Sequence, residues 1–291
     1  TAPGSIKVSG KLNTRGGNTA ATGDGDGGWG GEIYADVNNW ADNITDASIS
    51  LLGYISVDST GGDGANGGNG PENDNDYEAN DGYNDDTGET TVGSVVNQVP
   101  TNVSGGNSTA TGTDGGNGGQ GSGMYIYDST DSDVDFEKYE STATNTADIT
   151  ANGGNGFDGA ATGLFDGGGG GYVEMYSYHS ANNSGALTAN GGTGSGTFNG
   201  GNGGDAYLGA ALEATNSGEL NLSGANGTDT GGDGGEMEIY ADNSITNSGT
   251  LTANGGAGAT EAGDGGGFDM GYWNYDMPEI TNSGDFIANG G

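Results

Sequence analysis

The sequence predicts an all-β protein, a parallel β-helix or β-solenoid of about seven to eight long coils with glycine-rich corners and arms. Three observations support this fold: a phrase that recurs along the chain, glycine-rich runs between the copies, and a short alternating strand after each run. Each repeat is too small to bury a hydrophobic core alone, so neighbouring repeats must stack on each other. We therefore expect one solenoid domain over residues 1–291.

The recurring phrase is clearest near the end of the sequence, where ITNSGTLTANGG at 245–256 returns as ITNSGDFIANGG at 280–291. Four clear and four looser copies mark repeats that are 31 to 48 residues apart. Their marker positions are Gly10, Gly53, Val99, Ala147, Gly185, Gly218, Gly249 and Gly284. Because equivalent residues of stacked strands lie about 4.8 Å apart, Asn247 and Asn282 are predicted to form part of an amide ladder.

Each repeat divides into three pieces. In 248–253 (SGTLTA), Leu251 and Ala253 alternate with threonines, which is the pattern of a half-buried strand. An Asn-Gly pair follows as a corner, because both residues tolerate positive φ. A glycine-rich run then leads to a second strand that ends in aromatic residues. These second strands are predicted at 32–36, 124–128, 172–178, 236–242 and 268–275.

Composition narrows the classes of function. The chain has 4 lysines and arginines against 41 acids, a formal net charge of −37, and no cysteine. The negative charge excludes nucleic acid as a partner, because phosphate binding needs a basic surface. No run approaches the roughly 20 apolar residues of a membrane helix, so we expect no membrane insertion. The opening TAPGSIKVSG looks like a mature end after processing, which predicts a secreted protein, extracellular or at the cell surface.

The phrase I-x-N-S-G-x-L-x-A-N-G-G resembles the repeats of large secreted bacterial adhesins of the filamentous-haemagglutinin type. Those repeats form right-handed parallel β-helices, so the resemblance implies a right-handed solenoid that acts as an elongated shaft outside the cell. It covers about twelve residues of each repeat. The long glycine-rich arms depart from it and look more like low-complexity glycine-rich surface proteins.

Acidic residues in two settings make calcium the candidate cofactor. The segments 200–208 (GGNGGDAYL) and 153–161 (GGNGFDGAA) fit the nonapeptide of calcium-binding β-rolls, with Asp205 and Asp158 as ligands. One match per repeat does not encode an ion shared by consecutive turns, so glycines that simply permit tight corners are the alternative. Residues 69–95 are predicted to project as an acidic loop or arm that is either solvated or gathers a cation. The candidate ligands in this arm are Asp74, Asp76, Glu78, Asp81, Asp85 and Asp86.

Charge is divided unevenly between the first and the last repeat, which makes both candidate subunit interfaces. The basic residues of the first are Lys7, Lys11 and Arg15, and the acids of the last are Asp269, Asp276, Glu279 and Asp285. Neither end shows a polar cap, and open strand edges pair with other chains. Head-to-tail contacts of this kind generate a filament. A window cut from a longer repetitive protein is the alternative explanation.

These features favour a non-catalytic extracellular structural protein that stacks on copies of itself into a filament or surface shaft. The first alternative is an adhesin or glycan-binding module that contacts cell-surface glycans through its aromatic strands. A polysaccharide-active enzyme is less favoured, because the single histidine, His179, has no Ser-His-Asp phrase or metal pair around it. The pair Asp85-Asp86 offers carboxylates, but so acidic a surface repels an anionic polymer.

Overall fold

A computed structural model shows a chain of parallel β-strands arranged in three sheets. It describes residues 4–19, 25–38, 46–52, 56–70, 75–81, 92–109, 118–130, 141–156, 165–194, 198–273 and 279–291. Within these ranges all regular structure is β, which confirms the predicted all-β class. The same ranges contain no helix with the length and apolarity that a membrane span requires.

Each sheet collects one strand from every circuit of the chain. Sheet 1 has eight strands in the order β1 (Gly4–Val8), β4 (Asp46–Leu51), β7 (Val92–Asn97), β10 (Thr142–Asn145), β13 (Ser180–Asn183), β16 (Glu213–Asn216), β19 (Ser244–Asn247) and β22 (Glu279–Asn282). Sheet 2 has eight two-residue strands, β2 (Leu12–Asn13), β5 (Val57–Asp58), β8 (Thr101–Asn102), β11 (Ile149–Thr150), β14 (Leu187–Thr188), β17 (Leu220–Asn221), β20 (Leu251–Thr252) and β23 (Phe286–Ile287). Sheet 3 has seven strands, β3 (Ile33–Asn38), β6 (Asn75–Asp81), β9 (Met124–Thr130), β12 (Val173–Ser177), β15 (Ala206–Ala210), β18 (Glu236–Ala241) and β21 (Gly267–Gly271).

The strand order shows how the chain is wound. Neighbours in each sheet are three strands apart in the sequence, and their pairing is parallel. The chain therefore passes through sheets 1, 2 and 3 and returns to sheet 1 one layer further along. We call one such circuit a coil. The predicted parallel stacking of repeats is confirmed by this arrangement.

Each of the first seven coils contains three strands, whereas the sequence predicts two strands in each repeat. The additional strand lies in sheet 1 just before the Asn-Ser-Gly marker. In β19, Ile245 and Asn247 are buried while Ser244 and Thr246 are more accessible, so the segment has the alternation of a strand. This strand is not predicted from the sequence, because one of its two buried residues is asparagine, which is ordinarily a turn residue.

The core consists of columns that run along the solenoid axis, with one buried residue from each coil. In sheet 3 one column contains the register partners Tyr77, Ile126, Met175, Leu208 and Ile239, each at most 2% exposed. In sheet 2 a second column contains Val57, Thr101, Ile149, Leu187, Leu220 and Leu251. Full burial of an apolar side chain of this size contributes about 1.5–3 kcal/mol, so these columns hold adjacent coils together.

Part of the predicted acidic arm 69–95 is a strand of sheet 3. Residues 75–81 form β6, which pairs with β3 on one side and β9 on the other. Asn75 and Tyr77 are fully buried, because alternate residues of the strand face the core. The remaining residues at 71–74 and 82–91 lie outside the described part of the chain.

A buried tyrosine in β6 leads to a stability prediction. Burial raises the pKa of Tyr77 above its ordinary value, and its hydroxyl has no hydrogen-bond partner among the described residues. Because an unpaired buried hydroxyl costs about 1–3 kcal/mol, we expect Tyr77→Phe to raise the free energy of unfolding by about 1–2 kcal/mol in urea titrations. The exposed Tyr272 provides the control, and Tyr272→Phe should change stability by less than about 0.5 kcal/mol. A clear loss of stability in Tyr77→Phe would contradict the assignment.

A ladder of asparagine side chains runs along sheet 1. Each Nδ2 donates to the Oδ1 of the next coil at 2.8–2.9 Å. The ladder contains Asn97, Asn145, Asn183, Asn216, Asn247 and Asn282, which confirms the pairing predicted for the last two. Four of these amides also donate to the backbone carbonyl two residues further on. Val8 and Leu51 occupy the same column before the ladder begins.

The glycine-rich segments form two layers that contact each other. The outgoing layer follows the sheet 2 strand of each coil, as at 189–194, and the returning layer precedes the sheet 3 strand, as at 198–205. Gly192 donates its backbone N–H to Gly168 of the preceding coil at 2.8 Å, and Gly201 donates to Gly192 at 2.9 Å. The same bonds recur between the layers and form a zigzag through Gly17, Gly28, Gly62, Gly68, Gly106, Gly119, Gly154, Gly168, Gly192, Gly201, Ala225, Gly232, Gly256, Gly263 and Gly291.

Space, rather than backbone conformation, requires glycine between these layers. A Cβ on Gly167 would lie 1.7 Å from the carbonyl oxygen of Gly192, and a Cβ on Gly191 would lie 1.8 Å from that of Gly201, in both cases across the two layers. None of these glycines has a φ in the left-handed region, and neither does Gly255 of the predicted Asn-Gly corner. Residues 253–258 contain neither a turn nor a bend, so the corner prediction is wrong at Gly255, where a Cβ would lie 2.0 Å from the carbonyl oxygen of Gly263.

Candidate binding site

The outer face of sheet 3 carries aromatic and acidic side chains in register. One row contains the partners Tyr125, Glu174, Tyr207, Glu238 and Asp269. In the adjacent row, Gly209 and Gly271 alternate with tyrosines, and a Cβ on either glycine would come within 2.7 Å of a tyrosine ring. The rings of Tyr207 and Tyr240 therefore lie across these glycines, which keeps the aromatic side chains flat against the sheet.

Aromatic rings on this face pack mainly against each other. Tyr207 and Tyr240 are stacked with centroids 6.2 Å apart, and Tyr240 stacks on Trp273 at 6.0 Å. Tyr176 contacts Tyr178 edge to face at 5.6 Å and Trp273 at 6.0 Å. These contacts use the ring faces for packing, which is the structural role expected of aromatic pairs at such distances.

Acidic groups give the face its electrostatic character. Burial raises the pKa of Glu174, and a hydrogen bond from the Tyr172 hydroxyl offsets part of that effect. Partial burial and three neighbouring carboxylates raise the pKa of Glu238. The Tyr240 hydroxyl donates to Asp269 Oδ2 at 2.8 Å, and this bond is the main reason its pKa is raised to about 12. The face therefore attracts cations and repels anionic ligands.

A hollow of about 530 Å³ lies beside this face, in the returning glycine layer. Its floor is backbone from three successive coils, and it includes Gly121, Gly170, Gly171, Gly203 and Gly204. Asn69 and Gln120 border it from one row of the layer, where Gln120 donates its backbone N–H to Asn69 Oδ1 at 2.9 Å. Tyr172 and Asp205 border it from the row that leads into sheet 3, and Trp29 completes the lining.

The lining combines aromatic surface with a few polar groups. The Trp29 side chain is 54% exposed, and the Tyr172 ring packs against Tyr125 with centroids 5.9 Å apart. Asp205 Oδ1 accepts the backbone N–H of Glu236 at 2.8 Å, which orients the carboxylate. A cleft with aromatic surface and a small number of fixed polar groups is typical of small-molecule binding sites.

The candidate calcium ligands are only partly within the described structure. Asp205 borders the hollow and is exposed. Asp76, Glu78 and Asp81 belong to β6, but their side chains are not described, and Asp74, Asp85, Asp86 and Asp158 lie outside the described residues. Among side chains that are described, no group of three or more His, Cys, Asp or Glu residues could hold a metal ion.

The described candidate interface residues lie in the first coil and in the last two coils. Lys7 in β1 and Lys11 before β2 are exposed. Arg15 Nη2 lies 3.6 Å from Asp63 Oδ2, so this arginine contacts the second coil of its own chain. Of the acids, Asp269 accepts the Tyr240 hydroxyl, Glu279 and Asp285 are exposed, and Asp276 lies outside the described residues.

The hollow is not predicted from the sequence. Its border residues Trp29, Asn69, Gln120 and Tyr172 come from four different coils, and only the stacking of those coils brings them together. One local signal is present, a single tryptophan inside the glycine run at 27–31. His179, the remaining candidate, is half-buried between β12 and β13 and donates its backbone N–H to Ser177 Oγ at 3.3 Å.

Comparison with known proteins gives no match: no protein-family model, no curated protein and no solved structure is significantly similar to this chain.

Proposed function

We propose that this protein is a non-catalytic extracellular structural protein, the shaft of a filament, built as a right-handed solenoid of seven complete coils and a partial eighth. The supporting observation is the continuous hydrogen bonding along the axis, through three sheets, the asparagine ladder and both glycine layers. Because the backbone groups of each coil pair with those of the next, the edge of one coil matches the hydrogen-bonding groups of another. Right-handed winding is proposed because parallel strands of one sheet are connected in this sense in about 98% of cases.

The shaft is proposed to extend when a second copy stacks on the first. In sheet 1, β1 and β22 are edge strands, and an edge strand offers unpaired backbone groups to another chain. The last coil also exposes apolar side chains, with Ile280 46% and Phe286 43% accessible. Exposed lysines in the first coil and exposed acids in the last favour a head-to-tail orientation.

Charge reversal tests this assembly. We expect the wild-type protein to form filaments in negative-stain electron micrographs, and Lys7→Glu combined with Lys11→Glu to leave single particles, because like charges then meet at the junction. Lys138→Glu makes the same type of change elsewhere in the sequence and should leave the filaments intact. Filaments that survive the double reversal, or a wild-type protein that stays monomeric, would contradict the proposal. Loss of the wild-type filaments in EDTA would assign a divalent cation to the junction.

A further inference from the structure

Gly169 immediately precedes Gly170, which lines the hollow, and the packing around Gly169 leaves room for a side chain. Backbone hydrogen bonds align it with Gln120 in the preceding coil and Asn202 in the following one. A Cβ on Gly169 would meet nothing closer than Gln120 Oε1 at 3.8 Å. On the adjacent Gly168 and Gly170, by contrast, it would come within 2.0 and 2.2 Å of backbone atoms. Packing therefore explains the neighbouring glycines but not Gly169.

The missing side chain keeps one side of the hollow open. The row that contains Gly169 otherwise carries the side chains of Trp29, Asn69, Gln120, Asn202, Asp233 and Asp264. The next row of aligned residues contains Gly123, Tyr172, Asp205 and Glu236. Gly123 is the member of this row that has no side chain. Two adjacent rows thus each lack one side chain, at Gly169 and at Gly123, and the hollow lies in this region.

The groups around the opening define the chemistry of a ligand. Trp29 and Tyr172 present aromatic surface, which packs on the apolar faces of flat or ring-shaped molecules. The amides of Asn69 and Gln120 are both donors and acceptors, and the carboxylate of Asp205 is an acceptor. A ligand that combines apolar ring faces with many hydroxyl groups matches this arrangement, and sugar rings have both.

Charge excludes the anionic members of that class. Within the part of the chain that the structure describes, the lining has no lysine, arginine or histidine, and its one carboxylate is Asp205. The chain as a whole has a formal net charge of −37, so sulfated, phosphorylated or uronic-acid polymers are repelled. A lysine-rich peptide is not favoured either, because a single carboxylate in the lining pairs with only one of its cations.

We propose that the hollow binds a short segment of a neutral polysaccharide, so that the shaft carries a glycan-binding site on its side. Trp29 and Tyr172 are three coils apart, about 14 Å along the axis at the spacing of stacked strands. The segment therefore lies along the axis over the glycine floor, with an aromatic ring near each end. The amides of Asn69 and Gln120 between the rings, and the carboxylate of Asp205 one coil beyond Tyr172, bind its hydroxyls.

Calorimetric titration with neutral hexasaccharides tests the site. The probes are cellohexaose, laminarihexaose, mannohexaose and N-acetylchitohexaose, and we expect at least one to bind with a Kd of about 1 mM or tighter. Trp29→Ala should weaken binding at least about tenfold, through loss of the stacking surface. Trp273→Ala removes an exposed aromatic residue that does not line the hollow, and it should change the affinity less than about twofold.

Gly169→Asn is the decisive variant. Asparagine already occupies this row at Asn202, so the variant should fold with an unchanged melting temperature while its side chain obstructs the opening. We expect a loss of affinity of at least about tenfold. Binding of none of the four probes, or wild-type affinity in both Trp29→Ala and Gly169→Asn, would overturn the proposal. Tight, salt-sensitive binding of hexalysine at the hollow in place of the saccharides would overturn it as well.

Discussion

Asn216→Ala is expected to lower the free energy of unfolding by about 3–5 kcal/mol. The Asn216 amide donates to Asn247 Oδ1 at 2.8 Å and to the Gly218 carbonyl at 3.2 Å, and it accepts from Asn183 Nδ2 at 2.8 Å. Alanine removes the amide that donates to Asn247 Oδ1 and to the Gly218 carbonyl oxygen. Each buried acceptor that loses its donor costs about 1–3 kcal/mol of stability. Urea unfolding monitored by circular dichroism measures the loss, and hydrogen exchange locates it.

Two matched variants show whether the ladder is the cause. Asn221→Ala removes an exposed asparagine of the same coil, whose Oδ1 accepts from Ser223, and should cost less than about 1 kcal/mol. Asn97→Leu removes the donor to Asn145 Oδ1 and the acceptor of the Val99 N–H. It should still cost less than Asn216→Ala, because Asn145 Oδ1 keeps the Ala147 N–H and leucine fills the space and continues the column of Leu51. Equal losses of unfolding free energy in the three variants would contradict a specific contribution of the amide ladder to stability.

Gly168→Ala is expected to be still more disruptive, with a loss of more than about 4 kcal/mol. The added methyl group would lie 2.0 Å from the carbonyl oxygen of Gly119, and backbone cannot yield as a flexible side chain can. Gly119 belongs to the preceding coil, and its carbonyl oxygen accepts the Gly154 N–H at 2.7 Å, so either this carbonyl or Gly168 must move. Either movement breaks the zigzag of backbone hydrogen bonds beside the substitution. Hydrogen exchange of the Gly119, Gly168 and Gly192 amides should accelerate together.

The adjacent residue is the control. The methyl group of Gly169→Ala would make only ordinary van der Waals contacts, the nearest at 3.8 Å. The variant should therefore be as stable as the wild type, or up to about 1 kcal/mol more stable, because alanine restricts the unfolded chain. The two substitutions are identical in chemistry and one residue apart. Similar effects on the free energy of unfolding would contradict the two-layer packing.

Repetition in the sequence predicts the stacking well, because in a parallel solenoid equivalent residues of successive repeats become neighbours. The phrase shared by 245–256 and 280–291 thus predicts the contact of Asn247 with Asn282, and the structure confirms it at 2.9 Å. The aromatic strands are also predicted near their observed places, as at 236–242 for β18. Strand ends differ by a few residues, since terminal pairing depends on the neighbouring coil.

Other features could not be predicted from local pattern. Residues 75–81 are rich in acids and read as an exposed loop, yet β6 pairs on both sides and buries Tyr77. The sheet 1 strands contain asparagine, and its burial is possible only because amides from the adjacent coils satisfy each other. In both cases the partner that makes the strand stable lies about 30 to 50 residues away in the chain.

The sequence alone determined the class of fold and the register between coils, because periodic repeats can bury their apolar residues only by stacking in phase. Only the tertiary structure decided which glycines are indispensable and where the surface opens. Gly168 and Gly169 are indistinguishable in a glycine run. They differ because a Cβ on Gly168 would lie 2.0 Å from the backbone of the preceding coil, whereas a Cβ on Gly169 would meet nothing closer than 3.8 Å. Trp29 and Tyr172 are far apart in the sequence, yet both line the hollow, because the stacking of the coils brings them to the same part of the surface.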